Sequence, residues 1–250
     1  MINQPFFRTV RQLKDGSYSK NGYGAYIVDP TYSIDGKNDI RSFLILQKEF
    51  LDILEYIEPS TSNNKTYSIR LRNLFILLCT EIESNLKTIL VANDHTSNRQ
   101  EDNWNMNDYH NVNQSHFLSD YKVYLPHWEG NNMRQPFKAW SVNGAGLIWY
   151  QSYNNTKHAR WKNIKEANLK NVVNAMTGLT ALISAQFYNI NFDAREYLEA
   201  ETARKDKAII AIGDYFSVKF PDIPMNERYD LPPEYIDVNN QHNFQKFKYT

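Results

Sequence analysis

The stretch WYQSYNNTKHARWKNIKEANLKNVVNAMTGLTALISAQF, Trp149–Phe187, decides how the chain folds. Its second half is apolar at helical spacing. Its first third crowds Asn154, Asn155, Lys157, His158 and Arg160 between Trp149 and Trp161. The spacing predicts one long helix over about 155–187, with its polar first turn at an open end of a bundle. With His158 at zero on a wheel turning ~100° per residue, Leu169, Val172, Val173, Met176, Leu179, Ile183 and Phe187 fall within roughly 60° of it. Asn154 lies about 40° away. On an unbroken helix His158 therefore enters the bundle. Lys157 flanks that face, Lys162 and Lys165 turn inward, and Arg160 points nearly opposite. Lysines are not buried unpaired without a large desolvation cost, so this end is expected to be open or polar. A histidine in such a cleft is well matched to proton transfer near neutral pH. The plainer alternative is a core-edge histidine beside a solvated helix end.

Outward from this stretch, residues 41–57 place Phe43, Leu46, Phe50, Ile53, Leu54 and Ile57 at helical spacing, and Pro59-Ser60 ends that element. Residues 67–92 predict a second helix, with Leu71, Leu74, Phe75, Leu78, Ile82, Leu86 and Ile89 on one stripe. Asn85 falls on the stripe and Glu81 on its margin, a pattern that suits a polar bridge fixing helix register. The run from Asn93 to about Asn113 is rich in Asn, Asp and His, and 94–113 is expected to be a poorly anchored loop. His95, His110, His116 and His127 lack tight metal-ligand spacing and are expected to be solvated. Pro136, Phe137 and Trp140 belong to an irregular segment expected to pack aromatics over a helix end.

Near the N-terminus a strand is expected at Tyr23–Val28, with a turn at Asp29-Pro30. Toward the other end, Asp193 and Glu196 form a capping-box pattern for a last helix reaching about Ile212. Phe216, Val218 and Phe220 alternate as a short strand that could pair with the first one. The final 25 residues read as a tail that drapes over the body or is partly disordered. The expectation is an all-α bundle of at least four helices with a small β element near the termini. Its divisions are a loop-rich segment 1–39, a helical domain 40–213 with an insertion at about 93–148, and a strand and tail over 214–250.

Composition narrows the function classes. Lys plus Arg equals Asp plus Glu at 28 each, a balance unlike that of proteins that coat nucleic acid or anionic membranes electrostatically. Cys79 stands alone, so no disulfide forms within the chain. The start Met-Ile-Asn-Gln-Pro has neither the basic nor the apolar run of a signal peptide, and no apolar stretch reaches the ~20 residues that span a bilayer. The expectation is a cytoplasmic protein without membrane contact.

The pattern W-x-x-x-Y-N-x-x-K-H-x-R, formed by Trp149, Tyr153, Asn154, Lys157, His158 and Arg160, is followed by A-N-L-x-N-V-V-N-A over 167–175. Together with E-I-E-x-x-L-K from Glu81 to Lys87 and P-F-x-x-W from Pro136 to Trp140, it resembles the HEPN superfamily, over roughly residues 40–190. The closest likeness is to bacterial phage-defence and toxin members. The resemblance implies an all-α bundle that dimerises across its motif helices. It also implies metal-independent RNA cleavage, with no cofactor, by an Arg-x4-6-His motif. His158 matches the motif histidine and Asn154 the asparagine that often follows the arginine, while the arginine position holds Tyr153. The implied roles are proton transfer by His158, phosphate stabilisation by Lys157 or Arg160, and ring orientation by Asn154. RNA contact would fall to Tyr153, Trp161, Lys162 and Lys165, with Glu81 and Asn85 in support. The alternative within the family is a non-catalytic scaffold that binds a protein or nucleotide partner, for instance in a defence system.

Overall fold

A computed structural model describes residues 1–159, 161–192 and 208–250. The long apolar stretch is not one helix. Helix α5, Ile148–His158, ends where the reading placed a beginning, and helix α6, Leu169–Phe187, starts afresh. Between them Asn155 O accepts from Ala159 N (3.1 Å) and from Asn163 Nδ2 (2.9 Å), and Asn155 Nδ2 donates to Glu166 Oε2 (2.9 Å). These bonds satisfy groups that helix ends leave orphaned. Asn168 then caps α6 by accepting from Asn171 N at 3.1 Å. Asn154, Asn155, Lys157 and His158 thus lie at a helix C-terminus, where cations such as Lys157 complement the macrodipole.

Because α6 is apolar on nearly all sides, it is buried almost throughout its length and forms the centre of the molecule. Helix α1, Gly36–Leu54, buries Ile40, Phe43, Leu46, Phe50 and Ile53. Helix α2, Ile69–Ala92, buries the stripe from Leu71 to Leu90 and is capped by Ser68, whose hydroxyl accepts from Leu71 N at 3.1 Å. Contacts between Ser42 and Glu81 and between Asp52 and Arg70 set α1 and α2 antiparallel. Helices α1, α2 and α5 all pack on α6. At Gly36 an added Cβ would come within 2.9 Å of the Phe187 ring, so a glycine lets α1 start against α6. The chain is mostly helical, as expected, and no helix among the described residues is long and apolar enough to cross a membrane.

A small antiparallel sheet runs β2–β1–β4–β3, from β1 (Lys122–Tyr124), β2 (Met133–Arg134), β3 (Ile209–Ile210) and β4 (Ser217–Lys219). Val123 lies opposite Val218, which also faces Ile209, and the two valines are fully buried. The strand expected at 216–220 is therefore present, but its partners are not. Tyr23–Val28 is not extended; Ala25–Val28 forms a 3-10 turn that buries Ala25, Tyr26 and Ile27. β4 instead pairs with β1 from the insertion and with β3. The expected helix reaching Ile212 gives way to a strand at Ile209–Ile210, and its capping-box start at Asp193 lies outside the described residues.

The expected loop over 94–113 is ordered. It holds the short helices α3 (Met106–Tyr109) and α4 (Val112–His116), with Asp108, Tyr109 and Val112 buried. Asn105 and Asp108 form the reciprocal capping box of α3. The C-terminal tail drapes. Phe6 pairs with Gln245, Lys246 meets Asp94, and Thr250 N donates to Gln114 Oε1 at 3.1 Å. The N-terminal segment, the insertion and the tail thus share one core with the helices.

Candidate functional site

The break after α5 changes the setting of the motif residues that the structure describes. Tyr153 is 1% exposed, edge-on to Phe75 and tilted against Tyr150 at ring distances of 6.2 and 5.3 Å. Lys157 folds back on it, with Nζ donating to the Tyr153 hydroxyl at 3.3 Å and lying 5.3 Å from the ring centre. That hydrogen bond holds the Lys157 ammonium above its ordinary pKa, and burial pushes the Tyr153 phenol up. His158 is exposed rather than inward-facing, because helical phase is lost between Ala159 and Asn168. Lys162 and Lys165 are exposed for the same reason, Asn154 is half-buried, and Arg160 lies outside the described residues. Trp161 is 72% exposed. Lys157, His158, Trp161, Lys162 and Lys165 are thus each exposed, at the end of α5 and in the segment that follows it.

Beside this turn, Tyr150 donates to Glu83 Oε1 at 2.5 Å, and its phenol is held far above its usual pKa by burial and then by that carboxylate. Cys79 is fully buried, which pushes its thiol up and leaves it a packing residue.

Glu81 and Asn85 belong to a different construction. Asn85 is 1% exposed; its Nδ2 donates to Glu81 O and Oε1, both at 3.0 Å, and its Oδ1 accepts from Gln186 Nε2 at 3.0 Å. Gln186 Oε1 accepts from Arg8 Nε (2.8 Å), Arg8 Nη1 donates to Ser33 Oγ (2.8 Å), and Nη2 pairs with Asp39. Ser42 closes the far end by donating to Glu81 Oε2 at 2.8 Å. This chain of polar groups ties the N-terminal segment, α1, α2 and α6 together, as expected of a register bridge. Glu81 pairs here with Ser42 and Asn85.

Two buried cations were not legible as such. Arg8 has a left-handed backbone (φ 55), and its carbonyl accepts from His116 Nε2 at 2.9 Å. Arg11 is fully buried among Phe6, Phe117 and Phe247 at 5.0, 5.3 and 5.4 Å, with Nη1 on Glu227 Oε2 at 2.6 Å. His116, expected to be solvated, is wholly buried, and desolvation lowers its pKa to about 3. His95 and His110 are half-buried, and of the four histidines only His127 is exposed.

No family model, curated protein or solved structure matches the chain. The candidate site therefore stands on its own features: an exposed aromatic ring with lysines on either side in sequence, after a helix packed on α6.

Proposed function

We propose that the chain is an RNA-binding, HEPN-like protein that contacts single-stranded RNA through the turn after α5. One observation carries this reading: Trp161, 72% exposed, sits in sequence between exposed Lys157 and His158 on one side and Lys162 and Lys165 on the other. Rings on which bases stack, beside cations that track the backbone, are how proteins hold single strands with little sequence preference. The overall neutrality of the chain then confines binding to a local patch. Binding is favoured over cleavage because His158 is exposed at a helix end. The arginine position of the motif is filled by Tyr153, buried and engaged by Lys157. Phosphoryl transfer needs positioned charge around the phosphate, which a buried phenol supplies poorly.

The test is fluorescence anisotropy of a short labelled single-stranded RNA against salt concentration. Trp161→Ala should weaken binding by ~1–3 kcal/mol, the worth of one stacked base. Lys162→Glu with Lys165→Glu should flatten the log–log salt slope by about 1.4, from ~0.7 per lost phosphate contact. Wild-type protein that binds no RNA, or variants that bind with the wild-type slope and affinity, would overturn the reading. In EDTA the RNA should stay intact. Cleavage abolished by His158→Ala, with the fold retained, would replace binding by catalysis.

A further inference from the structure

Helices α2 and α6 begin side by side. Tyr67 and Asn168 form an antiparallel bridge, and Leu169 N donates to Thr66 O at 2.8 Å. Two stretches far apart in sequence, 65–70 and 165–170, thereby meet. Lys65 comes just before the bridge on one strand and Lys170 just after it on the other. Arg70 follows in the first turn of α2, and Lys165 is tied in by Asn168 Nδ2, which donates to its carbonyl at 3.0 Å. All four cations are exposed, and the Tyr67 side chain is exposed among them.

The fold itself does not call for this charge. The bridge is made by backbone groups and needs no basic side chain. Neither helix carries an acid in its first turn, and cations there oppose the macrodipole, so Arg70 and Lys170 do not serve helix stability. The carboxylates beside them leave the charge largely uncancelled. Glu166 is held by Asn155 Nδ2 at 2.9 Å, and Arg70 meets Asp52 at 3.7 Å with both side chains about half exposed. So open a pair is worth little, and its guanidinium can turn to another anion. Among the described residues, Lys65, Lys165 and Lys170 make no ion pair.

Given the reading of the chain as a single-strand RNA binder, on which this rests, we propose that the junction of α2 and α6 carries the next part of the strand. Tyr67 stacks a base there, and Lys65, Arg70, Lys165 and Lys170 hold the phosphates beside it. Rings spaced along a cationic surface are the general means of gripping a single strand. The reach suits one RNA. Only seven residues lead from Trp161 to Asn168, at most ~25 Å if fully extended. A stacked strand advancing ~3.4 Å per nucleotide covers that span in about eight nucleotides.

The experiment is fluorescence anisotropy of the full chain with a labelled single-stranded RNA of about twelve nucleotides, long enough for both rings. Tyr67→Ala should weaken binding at least ~5-fold, the lower end for losing one stacked base, and Tyr67→Phe should restore it because the ring stacks. Lys65→Gln with Lys170→Gln should flatten the log–log salt slope by about 1.4, from ~0.7 per lost phosphate contact. Melting temperatures should hold within about 2 °C, as for other surface substitutions. Should Tyr67→Ala melt earlier than that, the lysine pair decides alone. If Trp161→Ala weakens binding while Tyr67→Ala and the lysine pair behave as wild type, the junction plays no part. The proposal is then overturned with the RNA reading intact. If Tyr67→Ala weakens binding and Trp161→Ala does not, the junction stands as the RNA site and the assignment to the turn after α5 falls instead. A wild type that binds no RNA overturns both.

Discussion

Replacing Arg8 by methionine tests whether the polar chain through the core is the structural pin its geometry describes. The substitution keeps an apolar stem of similar length and removes the guanidinium. Lost with it are the bonds to Gln186 Oε1, Ser33 Oγ and the Asp39 carboxylate. Removing one partner of a buried ion pair costs ~3–5 kcal/mol, mostly because the other partner is left uncompensated. The Asp39 side chain retains 18% exposure, so water reaches it and the lower end of that range applies. Gln186 Oε1 has no such relief; Gln186 is fully buried and its carbonyl is orphaned, at ~1–3 kcal/mol for an unsatisfied acceptor. These costs overlap, and a total of about 3–4 kcal/mol is expected. At ~2–4 °C per kcal/mol for a chain of this size, the melting temperature should fall by roughly 6–16 °C.

Urea unfolding read by circular dichroism measures this directly, the midpoint falling while the denaturant slope is unchanged. A double-mutant cycle with Gln186→Leu isolates the Arg8–Gln186 contact. Because the double variant leaves neither of those two groups facing an empty partner, the two costs should not add, with a coupling of ~1–3 kcal/mol. A loss below ~1 kcal/mol for Arg8→Met, or strict additivity in the cycle, would refute the reasoning.

Three further outcomes are expected. His116 has a pKa near 3 when folded against 6.5 when free, so the unfolded chain binds the proton first as pH falls. Its contribution is complete above about pH 6.5 and is lost as pH falls toward 3, by about 2 kcal/mol at pH 5 from a 1.5-unit displacement. Urea titrations at pH 7 and 5 should show this loss, and His116→Gln should flatten it. Gly213 has φ 82, and a Cβ there would lie 2.4 Å from Gln47 Nε2, which donates to its carbonyl at 2.7 Å. Gly213→Ala should therefore destabilise by ~1–3 kcal/mol, read as a lowered urea midpoint. Asp108→Ala removes the α3 capping box and the anchor of Ser97 and Arg99; it should cost ~1–2 kcal/mol and open residues 97–105 to limited proteolysis that the wild type resists.

The helical core was legible because its signals are local and redundant. The stripes Phe43–Phe50 and Leu71–Ile89 each repeat their period over several turns, and Ser68 sits where an N-cap belongs. The break between α5 and α6 was missed because neither proline nor glycine marks it. Yet Asn168 directly precedes the apolar run from Leu169, which is where a cap announces a new helix. Reading Asn168 as a cap rather than as an interior residue ends phase continuity there. The inward placement of His158, Lys162 and Lys165 then falls with it. The strand expected at Tyr23–Val28 failed for another reason: a run rich in tyrosine and branched residues suits any buried surface, and tertiary packing made it a 3-10 turn.

The insertion shows why polar sequence is a poor witness to disorder or to chemistry. Asn and Asp runs lack apolar periodicity, but one carboxylate can organise such a run when several donors converge on it. Asp108 does so with Ser97, Arg99 and the Asn105 amide. The same holds for cations. From sequence, Arg8 and Arg11 are two basic residues in a loop-rich segment, and the basic turn around His158 draws attention instead. In the fold the ranking inverts. Arg8 and Arg11 are interior groups whose partners come from residues as distant as Gln186 and Glu227, while the lysines of the motif mostly face water. Long-range pairing of this kind leaves no periodic trace, so no window of sequence can reveal it. The inversion also sharpens where function should be sought. Arg8, Asn85 and Gln186 are engaged with one another and with Ser33, Asp39 and Glu81. Among the described residues, the segment around Trp161 presents its side chains to solvent, where a ligand can reach them.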